Sequence, residues 1–138
     1  MVIINIIVSK KKFFKLEKLI KQAIKRAINY LKKDNVSISL FLVSNKEMQT
    51  INKKSRSKSK ATNVLSFTGD KKIPHPELPL KIDYLGEIYL APDYIKAQKQ
   101  DIAFLAIHGL LHLLGYTHDG KNDKIKMEQK ELEILLKN

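Results

Sequence analysis

Ile102-Ala103-Phe104-Leu105-Ala106-Ile107-His108-Gly109-Leu110-Leu111-His112-Leu113-Leu114, followed at once by Gly115, is apolar on nearly every side when wound as a helix. A helix of that kind is stable only when neighbouring elements cover all its faces. In a chain of 138 residues it therefore belongs at the centre of the fold, and the remaining elements are what surrounds it. Gly115 suits the position just past a helix end, where a left-handed backbone is needed. Upstream, the helical pattern runs back to Pro92, a residue suited to a first helical turn. The expectation is one long helix from Pro92 to Leu114.

Working outward, Val2 to Val8 is rich in Ile and Val and reads as an edge or central strand. From Lys12 to Lys33, Phe13, Leu16, Ile20, Ala23, Ala27 and Leu31 recur at helical spacing, with Lys18, Lys21, Lys25, Arg26 and Lys32 between them. This is an amphipathic helix with a basic outer side. Val36 to Val43 alternates as a strand does, and Ser44 with Glu47 resembles a capping box opening a short helix through Met48 and Ile51. The alternating Ser and basic run from Lys53 to Lys60 reads as an exposed loop. Val64 to Phe67 and Leu85 to Leu90 read as strands flanking a segment with Pro74, Pro76 and Pro79. A last helix, Asn122 to Leu136, places Ile125, Glu128, Leu132 and Leu135 on one side. The order β, α, β, α, β, β, α, α predicts one α+β domain over residues 1–138, with a small mixed sheet of about four strands packed against the buried helix and its companions.

Lys and Arg total 26 against 14 Asp and Glu, a formal net charge of +12. Such a surface favours polyanionic partners. Cys is absent, which excludes disulfides, thiolate metal sites and cysteine nucleophiles. No apolar run reaches the 18 or more residues of a spanning helix. Val2 to Val8 is too short for a secretion signal, precedes its basic residues and lacks a small-residue cleavage site, so a cytoplasmic protein with no membrane association is expected. With 7% aromatic residues and no Trp, an extended base-stacking platform is not expected.

Three of the four histidines, His108, His112 and His118, fall within eleven residues. Residues four apart share a helix face, with Cβ atoms about 5–6 Å apart, so His108 and His112 are able to meet on one ion. Gly115 permits the reversal that returns His118 to the same point. Three imidazoles and an open fourth position, for water or substrate, describe a catalytic zinc site with one Zn2+ per chain. Nickel, copper and cobalt also bind imidazole. The spacing HxxxHxxGxxH also matches metzincin peptidases, but those enzymes carry Glu after the first His as general base. Here that position is Gly109, which argues against peptide hydrolysis, while the positive charge argues for a phosphodiester.

The segment from His108 to His118 resembles the HGxLHLxGYDH signature of the YbeY family. Ile51-Asn52 with Arg56, then Thr62-Asn63-Val64-Leu65-Ser66-Phe67, is similar to that family's LNxxYR and T(D/N)VLSF segments. Leu85-Gly86-Glu87-Ile88 resembles its LGDI strand, and Met127-Glu128 with Glu131 its MExxE helix. The resemblance runs from about residue 45 to the C-terminus. It implies a metal-dependent, single-strand-specific endoribonuclease that acts near the 3′ end of 16S rRNA and in ribosome quality control. It implies zinc on His108, His112 and His118, and Arg56 as a functional arginine. Two departures stand out: Thr117 replaces the Asp before the third His, with Asp119 one residue later, and Ser55 stands where an aromatic residue often precedes the arginine.

On this reading Arg56 supports charge developing on the phosphate, because its planar fork matches two phosphate oxygens. Lys53, Lys54, Lys58 and Lys60, together with Arg56, bind the RNA backbone in a salt-dependent way. Glu87, Asp119 and Glu128 are the candidates for a general base. His75 reads as a solvated loop residue. Expected partners are single-stranded RNA, rRNA and the ribosome or its small-subunit proteins. Two alternatives remain at this level: a non-catalytic zinc-containing ribosome assembly factor, and a metzincin-like zinc peptidase.

Overall fold

The strands come first, because their order fixes which face the central helix can cover. The computed structural model describes residues 1–56, 62–69, 81–117 and 120–136, Arg56 by its backbone alone. β1 (Val2–Val8), β2 (Val36–Leu42), β3 (Val64–Thr68) and β4 (Asp83–Leu90) form one mixed sheet in the order β1-β2-β4-β3. β1 and β4 both run parallel to β2, and β3 is antiparallel to β4. Alternation along the strands decides the faces. Ile38, Leu40, Leu42, Ile88 and Leu90 are fully buried and form the floor on which the helices sit.

α4 (Ile102–Leu113) lies on that floor and is closed from above by α1 (Glu17–Tyr30) and α5 (Lys121–Leu136). Ala106, Leu110 and Leu111 have no accessible surface, and Ile107 keeps 3%. The central buried helix is thus as its composition demands. Together with the sheet it makes one α+β domain. Among the described residues no helix is long and apolar enough to cross a membrane.

The expected Pro92–Leu114 helix is two helices. α3 (Pro92–Ala97) opens on Pro92 as expected, then Lys99 turns left-handed at φ 57° and Asp101 caps α4 by accepting a hydrogen bond from the Ala103 amide at 2.9 Å. An Asp ahead of an apolar run is a start signal, and here it outweighs the continuing periodicity. The expected Lys12–Lys33 helix also divides, into a 3-10 turn at Lys11–Leu16 that buries Phe13 and then α1, whose inner stripe is Ile20, Ile24, Ala27 and Ile28.

α2 (Asn45–Arg56) begins at the predicted capping box, with the Ser44 amide donating to Glu47 Oε1 at 3.0 Å and the Glu47 amide donating to Ser44 Oγ at 3.2 Å. It runs further than expected, so Lys53, Lys54, Ser55 and Arg56 are helical rather than loop. Its Met48 and Ile51 join Val43, Leu65, Phe41, Phe67 and Tyr89 in a smaller apolar cluster on the sheet face opposite α4. In α5 the inner stripe is Met127, Glu131 and Ile134; of the four residues expected on one side, Ile125, Glu128 and Leu132 are exposed and Leu135 is half-buried against the core.

Candidate metal centre

α4 opens to solvent along one line. From Ile102 to Leu113 every residue is buried except Ala103, Phe104, His108 and His112, which are half-buried. Phe104, His108 and His112 are four apart and so form a single stripe. The two imidazoles occupy the part of a buried helix where keeping a polar group costs least.

That stripe is one wall of a cleft of about 400 Å³ lined by Val64, Leu65, Ser66, Thr68, His108, His112 and Leu113. The other wall is β3, the edge strand. Ser66 Oγ donates to the Gly109 carbonyl at 3.4 Å and ties the walls together. Gly109 makes the close approach possible: a Cβ there would stand 3.0 Å from Ile88 Cγ2 and 3.1 Å from Ser66 Oγ. A side chain at this position would start against Ile88 and Ser66 of the sheet.

His112 Nε2 lies 3.2 Å from His108 Nε2, with ring centroids 4.7 Å apart and planes at 77°. Two ligands of a tetrahedral zinc with Zn–N bonds of about 2.0–2.1 Å stand about 3.3 Å apart. The pair therefore has the spacing of neighbouring ligands, and the donor set fits a borderline divalent ion. Beyond α4, Gly115 takes φ 100° and the Tyr116 amide donates to the Leu111 carbonyl at 3.0 Å, the hydrogen-bonded reversal expected of this glycine. Tyr116 packs back onto the core. The chain then enters α5, and Glu131 of that helix brings Oε1 to 3.4 Å from His108 Nδ1. Burial, and then the charge of Glu128, push the Glu131 carboxyl above the usual carboxylate range.

A model of the family described as Endoribonuclease YbeY matches residues 5–138. The chain belongs to the YbeY family. Endoribonuclease YbeY of Bartonella quintana is 39% identical over an alignment 131 residues long, gaps included, that covers 84% of this chain and 78% of that relative. Endoribonuclease YbeY of Buchnera aphidicola is 33% identical over an alignment 144 residues long, gaps included, that covers 96% of this chain and 89% of the relative. The solution structure of TM1509 from Thermotoga maritima matches with a TM-score of 0.56 at 23% identity, over 99% of this chain and 91% of that one. That likeness concerns the fold alone.

Among the residues expected in this YbeY-family site, the structure brings His108 and His112 together. His118, Asp119, Lys58, Lys60 and His75 lie outside the described residues. Lys53 and Lys54 are exposed on the last turns of α2, and Arg56 ends that helix. Among the described residues the cleft lining holds no Lys or Arg. Glu87 is not brought to the histidines. Ser66 and Ile88 face α4, so Glu87, next to Ile88 and paired with Phe67, faces the other side of the sheet. There burial first, and then the charges of Glu87 and Tyr84, push the Tyr89 phenol above its ordinary range. Glu128 is exposed on α5. The residue given no role beforehand is Glu131, and its signal was the spacing of Met127, Glu131 and Ile134: a carboxylate within an apolar stripe.

Proposed function

We propose that this chain is a metal-dependent, single-strand-specific endoribonuclease whose zinc is held by His108, His112 and His118. The observation that carries the reading is the 3.2 Å approach of two imidazole nitrogens on the open line of an otherwise buried helix. The YbeY-family relatives named as endoribonucleases, and a net charge of +12, support RNA as the substrate.

A bound divalent ion supplies Lewis acidity toward a phosphoryl oxygen and makes water acidic enough to act as nucleophile near neutral pH. The chain's own residues do the rest. His108 and His112 offer neutral nitrogens from a helix that cannot shift without disturbing the core. Arg56 binds two phosphate oxygens through its planar fork, and Lys53, Lys54, Lys58 and Lys60 hold the backbone by charge. With Glu87 across the sheet, Asp119 remains the proposed proton acceptor. We assign the biological substrate to 16S rRNA near its 3′ end, cut during ribosome maturation and quality control in the cytoplasm, with the ribosome and its small-subunit proteins as partners.

The test is cleavage of single-stranded rRNA fragments with and without chelator, alongside His112→Ala. Cleavage is expected to stop on chelation and return with added zinc. Cutting that persists in chelator and in the variant would overturn the reading, and ribosome binding without cleavage would leave an assembly factor in its place. Casein hydrolysis would point to a peptidase.

A further inference from the structure

Among the described residues Glu131 is the one charged side chain that is buried, with 3% of its surface accessible. Its neighbours in the inner stripe of α5, Met127 and Ile134, are apolar and equally enclosed. Glu128 and Glu133 on the same helix are exposed. A carboxylate at such a position opposes folding unless it is hydrogen-bonded, and a leucine would fill the same space without that cost. Glu131 has one polar contact of this kind, Oε1 at 3.4 Å from His108 Nδ1, and Oε2 has no hydrogen-bond partner among the described residues.

The direction of that contact matters for the ring's other nitrogen. An ionised carboxylate only accepts, so this contact calls for the proton on His108 Nδ1, and a neutral imidazole in that tautomer keeps its lone pair on Nε2. That is the nitrogen facing His112. The carboxylate reaches the ring from α5, an element separate from the ligand helix, so it resists rotation of the imidazole about its own side-chain bonds. Such partners orient a ligand and raise its basicity.

We propose that Glu131 is the positioning residue of the metal centre, fixing His108 in the tautomer and ring plane that present Nε2 to the ion. This rests on the metal reading above, and the two are separable. Zinc affinity is measured by competition with a chromophoric chelator on the full chain, wild type, Glu131→Leu and Glu131→Gln. Nitrogen-15 NMR of the metal-free imidazoles reads the tautomer, and thermal unfolding reports the fold.

The expected result is that Glu131→Leu unfolds at a higher temperature than wild type yet binds zinc about 10- to 100-fold more weakly, and loses the Nδ1–H signature of His108. Glu131→Gln, whose amide oxygen still accepts, restores most of the affinity and the signature. A residue that merely fills space would change neither readout. Unchanged affinity in Glu131→Leu overturns the proposal while leaving the metal site standing, and a wild type that binds no zinc overturns both. Should Glu131→Leu fail to fold, the wild-type spectrum decides alone: Nε2–H at His108 overturns the assignment.

Discussion

Helix α4 and helix α2 carry the two sets of site residues, and the fold holds them in opposite ways. α4 is enclosed by the sheet, α1 and α5, and apart from Ala103 in its first turn only the stripe of Phe104, His108 and His112 meets solvent. α2 turns Met48, Ile51 and Asn52 inward and leaves Lys53 and Lys54 in solvent on its last turns. The contrast follows the chemistry each is asked to do. Imidazoles that share an ion must converge to within tenths of an ångström, which calls for a scaffold that cannot relax. Cations that meet a flexible polyanion act through charge over several ångströms, and a peripheral helix is sufficient for that.

The comparison breaks most visibly at α4. His112→Ala is expected to lower zinc affinity by more than the about 10- to 100-fold that supporting residues contribute, with RNA cleavage lost and the far-ultraviolet circular dichroism unchanged. Retained affinity would mean that the stripe is not a ligand pair. Leu110→Ala, at a fully buried position, is expected to reduce unfolding free energy by about 2–5 kcal/mol in urea titrations. A loss near zero would mean that α4 is not the rigid half of the contrast.

At α2 the effects are smaller and different in kind. Lys53→Ala and Lys54→Ala should each lessen the slope of log affinity against log salt by about 0.7 for single-stranded RNA, and leave zinc affinity alone. A change in zinc affinity would show that the two helices are coupled. The smallest effect concerns the cap. The Ser44 amide and then the Ser9 hydroxyl hold the Glu47 carboxyl below its ordinary range. A depressed carboxylate stabilises above its unfolded pKa of about 4.3 and loses that contribution as pH falls through the folded value. Amide protection factors in the first turn of α2, taken against the intrinsic exchange rate at each pH, should therefore fall below about pH 4 in wild type, and Glu47→Gln should remove that dependence.

The sequence made the buried helix legible because a segment apolar on all sides has one stable location, and the histidine pair legible because a spacing of four is geometric. The break at Lys99 was not, since Ile95 and Ile102 keep the helical period across it and only Asp101 marks the new start. The inner face of α5 was misread for a related reason. Glu131 counts as polar in any pattern, so the stripe through Met127 and Ile134 carries less apolar weight than Ile125, Leu132 and Leu135, although its spacing is there to be read. The basic run after Ile51 looked like loop by composition, yet the capping box and the inward Met48, Ile51 and Asn52 carry the helix to Arg56.

Gly109 also bears on what this cleft is able to become. The peptidases that share the histidine spacing place their base one residue after the first ligand, the position that Gly109 holds here. Here the first atom of any side chain, its Cβ, would already stand 3.0 Å from Ile88 and 3.1 Å from Ser66. A Glu would be driven between helix and sheet, away from the substrate. The route from this scaffold to peptide hydrolysis therefore asks more than one substitution at the metal site, because the Ile88 and Ser66 side chains that pack the sheet against α4 must give way first.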